Sequence, residues 1–180
     1  GAVYLRSRGF SARAEPSWIE AAVARRLRHL ATPPEVRSVR NPWPITAETI
    51  AAGRRHFADH CAICHANDGS GDTELGRGMY PPPPDLRRPE TQELTDGELF
   101  AIIENGIRFT GMPGFGRGTA ESSRETWHLV HFIRHLPRIT PEELAEMAQL
   151  NPKTAEEWRQ QQEAEAFLKG EKTPRPPHRH

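Results

Sequence analysis

Cys61-Ala62-Ile63-Cys64-His65 contains both cysteines of the chain, and its reading decides the fold. Two thiols separated by two residues lie within one helical turn, and an imidazole follows at once. Cys-x-x-Cys-His is the attachment pattern of a c-type haem. The thiols add to the two vinyl groups of one porphyrin, and the imidazole is carried beneath the iron as proximal ligand. Other readings of the pair are weaker. A thioredoxin-like dithiol needs a preceding strand in a βαβ unit, whereas the residues before Cys61 read as helix. A zinc site needs two more ligands and no further Cys exists, which leaves only His56 and His60 nearby. A disulfide across so short a loop would constrain almost nothing.

Iron held by His65 needs a sixth ligand from elsewhere in the chain. Met112 is the best candidate, within Asn105-Gly106-Ile107-Arg108-Phe109-Thr110-Gly111-Met112-Pro113-Gly114-Phe115. A thioether on iron raises the reduction potential, and Gly111 allows the backbone to approach a flat ring. Met79, which runs into Pro81 to Pro84, and Met147, in a polar helix expected outside the core, are rivals. His128, His131 and His135 read better as surface or packing residues.

Helix signals surround the motif. Thr46 is an N-cap with an Ile45–Ile50 staple, and Ile50, Gly53 and Phe57 share a face leading to Cys61. Thr95 and Glu98 form a capping box, with Leu94 and Leu99 as staple and Gly106 as stop. Ser122 and Glu125 mark a third start, running to Pro137 with Trp127, Val130, Phe132 and Ile133 as apolar surface.

Residues 46–137 resemble a bacterial class I, single-haem c-type cytochrome. The resemblance rests on a helix entering Cys-x-x-Cys-His, a loop ending in Pro84-Asp85-Leu86, the Gly111-Met112-Pro113 loop, and a closing helix with Trp127. It implies an all-α, cytochrome c-like fold around one covalent haem c. Cys61 and Cys64 would attach the haem, with His65 and Met112 as axial ligands and no catalytic residue. It also implies that one carbonyl among Pro81 to Pro84 receives the second nitrogen of His65, and that Gly53 and Trp127 mark the crossing of first and last helices. Arg77 and Arg108 are candidates for neutralising haem propionates. A domain of about 90 residues barely buries enough surface to fold. Haem would complete its core, so the central segment is expected to be largely unfolded without it.

The flanks, 1–45 and 138–180, read as helical extensions. Residues 1–45 hold eight Arg against three Glu, a net of +5; residues 46–137 hold nine Arg against thirteen acids, a net of −4. These offset in a chain of net charge +0, so charge does not point to nucleic acid. Ser17 and Glu20 cap a helix to about Ala31, with Ile19, Ala22, Val23, Leu27 and Leu30 on one side. Pro33-Pro34 ends it, and Asn41 to Pro44 is an extended linker. Gly1 to Leu5, followed by Arg6 and Arg8, looks like the end of an upstream apolar segment. Thr140-Pro141-Glu142-Glu143 and Thr154 to Glu157 start two further helices, the second stopping at Gly170. Residues 171–180, with His178 and His180, read as a solvated tail.

The expected function is one-electron transfer by covalent haem, as a carrier or as a subunit of a larger redox complex. The alternative is a haem sensor or peroxidase-like enzyme with a displaceable Met. Expected partners are redox proteins, including membrane-bound respiratory or photosynthetic complexes. No run of about 18 apolar residues is present to span a membrane. The resemblance places the chain in the periplasm, with membrane association through a partner or an N-terminal anchor.

Overall fold

The structure, a computed structural model, describes residues 11–153 and 155–169. The expectations for Gly1 to Arg8, the Thr154 cap, the Gly170 stop and the tail lie outside the described residues. Within them, every regular element is helical. None of the helices is long and apolar enough to cross a membrane.

Caps set most boundaries. Ser17 Oγ accepts from the Glu20 amide and opens α1 (Trp18–Ala31) with a full capping box. Pro34 does not merely end that helix. With its fixed φ at the first position it starts a short α2 (Pro34–Ser38). Thr46 caps α3 (Ala47–His56), while Ile45, the expected staple residue, is largely exposed. A π turn (Phe57–Cys61) then leads into α4 (Ala62–His65). A 3₁₀ turn (Gly76–Gly78) and short α5 (Pro89–Gln92) precede α6 (Asp96–Asn105), capped by Thr95 and Glu98. The closing helix α7 (Ala120–His135) is capped by Thr119; Ser122, the expected cap, is buried and its hydroxyl accepts from the Arg117 amide. A 3₁₀ turn follows, then α8 (Pro141–Leu150), capped by Thr140 and Glu143, and α9 (Ala155–Leu168).

Helices α3 and α7 form the principal packed pair. Phe57 and Phe132 meet there with ring centroids 5.1 Å apart, both almost fully buried. Burial of each such ring stabilises by about 1.5–3 kcal/mol. Phe132, not Trp127, supplies the aromatic at Gly53. Trp127 stacks instead on Phe100, centroids 4.2 Å apart, fixing α7 against α6.

Two flanking segments are tied to this core. Asn41 Nδ2 donates to the Trp127 carbonyl at 2.8 Å, and the His131 ring lies 2.9 Å from the Trp43 carbonyl, so the linker lies along α7. On the C-terminal side, Met147 is fully buried in the core, which corrects its expected place outside. Arg54 pairs with Glu143 at 2.6 Å and Glu146 at 2.5 Å, and His135 also reaches Glu143. Asn151 Nδ2 donates to the Ala58 carbonyl at 2.8 Å, on the π turn before Cys61. By contrast, Ile19, Val23, Leu27 and Leu30 of α1 stay exposed.

Candidate haem site

The π turn delivers the motif. The Ala62 amide donates to the Phe57 carbonyl, one residue further back than an α-helix allows, and this widened turn runs straight into Cys61. The carbonyls at the far end are satisfied by the next loop: Gly71 N donates to His65 O at 2.8 Å, and Thr73 Oγ1 to Cys64 O at 3.2 Å. The motif therefore stands on a fixed frame.

Both cysteines are unbonded. Burial, reinforced by Cys64, pushes the Cys61 thiol up to about 12, and burial also raises Cys64. Helix and a π turn, not a strand, lead into Cys61, so the βαβ context that a thioredoxin-like dithiol needs is absent among the described residues. Among the described residues no group of three or more His, Cys, Asp or Glu is placed to hold a metal ion, so His56 and His60 do not complete a zinc site.

Cys61, Cys64 and His65 line one cavity of about 300 Å³. Leu86, Leu99, Ile103, Leu129 and Ile133 supply part of its apolar wall. Burial pushes the His65 imidazole below its ordinary pKa, favouring the neutral ring that a metal requires. Its Nδ1 is buried without a hydrogen bond. Of the four prolines left open by the sequence, Pro84 is the one whose carbonyl acts on this ring, raising its proton affinity from outside full hydrogen-bond geometry. Asp85 anchors that loop: Arg87 engages Asp85 at 2.8 Å and Asp68 at 2.8 Å, holding the Asp85 carboxyl down at about 2.

Met112 lines the same cavity, and so does Met79. A Cβ on Gly111 would stand 2.8 Å from Met79 Sδ, so the first methionine packs on the loop that carries the second. Gly106 (φ 68°) turns this loop, where a Cβ would meet the Met112 carbonyl oxygen at 2.6 Å. Met147, His128, His131 and His135 do not line the cavity. Neither do Arg77, which pairs with Asp72, and Arg108; the Arg that does is Arg28 of α1. Two unbonded thiols, an imidazole with an orphaned buried nitrogen, and an apolar wall are a donor set that fits haem c.

Residues 48–133 match the family model described as cytochrome c oxidase, cbb3-type, subunit III. These residues are a c-type cytochrome domain. The chain is 27% identical over 92 residues to thiosulfate dehydrogenase of Stutzerimonas stutzeri (strain A1501), covering 51% of this chain and 29% of that protein. It thus spans less than a third of that relative's length. A chain of the Kuenenia stuttgartiensis reducing HAO-like protein complex is similar at TM-score 0.44 and 24% identity, over 55% of this chain and 49% of that one. The cytochrome domain is all-helical, as the sequence predicts, and its family carries haem for electron transfer.

Proposed function

We propose that the chain relays single electrons through one haem c joined to Cys61 and Cys64, with His65 and Met112 as axial ligands. Bound haem supplies an iron couple that accepts and releases one electron without bond rearrangement. The protein's residues hold and shield it. With a hydrogen bond to its carbonyl, Pro84 would orient His65 and make it a better donor, and the apolar wall would keep water from the ring. The observation that carries this reading is the convergence of both motif thiols, His65 and Met112 on one apolar cavity.

The natural setting is the periplasm, with a redox enzyme as partner. The similarity to thiosulfate dehydrogenase, a redox enzyme, supports electron exchange with an enzyme of that kind. The segments on either side of the matched residues, anchored through Asn41, Glu143 and Met147, suit a fixed subunit better than a bare carrier. Size-exclusion chromatography of the native extract tests this: a subunit co-elutes with a larger enzyme, whereas a carrier elutes alone. A protein axial ligand on each side of the iron also predicts that carbon monoxide does not bind the reduced protein readily. Rapid binding would favour the sensor or peroxidase-like alternative.

A further inference from the structure

Along the apolar cavity one lining side chain is a permanent cation. Among the described residues, Arg28 is the only Arg or Lys that lines it. It comes from α1, outside the residues that match the cytochrome family. Helix α1 meets the domain near both its ends. Tyr80 Oη donates to Glu20 Oε1 at 3.2 Å, and Tyr80 lies between Met79 and Pro81, two lining residues. His29 Nδ1 stands 3.7 Å from Glu98 Oε1, and Glu98 precedes Leu99, another lining residue. The helix therefore lies along the cavity rim.

Arg28 is only partly exposed, and among the described residues its guanidinium has no hydrogen-bond or ion-pair partner. Burial is the strongest influence on it and acts against its charge; Glu98 favours the charge from a distance. Glu98 is already engaged by the Thr95 amide and His29. A half-buried cation beside an apolar wall calls for an anion. Haem brings two carboxylates on its propionate arms, and a planar guanidinium matches a carboxylate with two parallel hydrogen bonds.

We propose that Arg28 binds a haem propionate, so that seating the haem clamps the N-terminal helix over the haem rim. The proposal rests on the haem reading above. The basic arm (net +5) and the acidic domain (net −4) favour the same closure. A fixed cation there also tunes the couple, because reduction adds a negative charge that the guanidinium offsets. Arg28 is thus a positioning residue for both haem and helix.

The test compares haem-loaded wild type with Arg28→Gln and Arg28→Lys, each confirmed to carry one haem per chain. Redox titration and limited chymotrypsin digestion at Trp18 are the two readouts. Arg28→Gln is expected to lower the potential and to speed cleavage severalfold, and Arg28→Lys to recover most of the potential. An Arg28→Gln protein with the wild-type potential overturns the proposal, even if cleavage is faster, because the arm then only packs. If Arg28→Gln does not retain haem, Arg28→Lys decides by the same pair of readouts. A wild-type chain without haem would remove the cofactor reading beneath the proposal as well.

Discussion

Gly53 and His128 meet backbone to backbone: a Cβ on Gly53 would stand 2.1 Å from the His128 carbonyl oxygen and 2.9 Å from Phe132 Cβ. This contact sets how closely α3, which leads to Cys61, approaches α7. Gly53→Ala must push the helices apart, since the obstacle is backbone and cannot rotate away. The expected loss is about 1–3 kcal/mol, or about 4–8 °C in the melting midpoint for each kcal/mol in a domain of this size. Gly78→Ala, with nothing within 4 Å, is the control and should melt like wild type. Equal melting of all three proteins would contradict the crossing.

Met112→Ala should lower the reduction potential, and Met79→Ala should leave it nearly unchanged. Axial ligation spans about 0.8 V across haem proteins, so loss of a thioether should register on the order of 0.1 V. Redox titration of both variants assigns the ligand. A large fall in Met79→Ala alone would move the thioether to the other sulfur in the cavity.

Asp85 gives an acid-dependent prediction. Hydrogen bonding from Arg87 holds its carboxyl at about 2 in the folded protein, below the ordinary 3.8. A depressed folded pKa means that the stabilisation is present above the unfolded value and is lost as pH falls through the folded one. Asp85→Asn should therefore be less stable than wild type by about 1 kcal/mol or less near neutrality, as for a partly exposed ion pair. The difference should shrink between about pH 4 and about pH 2. Denaturant midpoints across that range check it; a gap constant with pH would remove the Arg87 contact from the account.

Without haem the domain loses its largest apolar filler. A Cys61→Ala/Cys64→Ala double variant should lose most of the helical far-UV circular dichroism of residues 46–137. Native helix content in that variant would show that the protein core suffices alone.

The elements that the sequence made legible are those whose signals are local. Ser17, Thr46, Thr95 and Thr140 are caps in the structure because a hydroxyl and the amide three residues on are all that a cap requires. The cysteine pair and His65 were visible for the same reason. Ser122 misled because the same residue type three positions after Thr119 receives a cap as easily as it makes one. The burial of Met147 was hidden because α8 is polar on its outer face, and the contacts that hold α8 in place include Arg54 and Ala58, both distant in sequence. Met79 and Arg28 reach the cavity by tertiary placement alone. The single local signal for Met79 was its position just before Pro81 to Pro84, and nothing local marked Arg28.

The central claim is a covalent bond between this polypeptide and one haem through Cys61 and Cys64. Intact-mass spectrometry of protein matured with its haem-attachment machinery tests it most directly. The account predicts the polypeptide mass of 20.3 kDa plus one haem, retained after denaturation and lost in the Cys61→Ala/Cys64→Ala variant. A denatured chain with the polypeptide mass alone would contradict it.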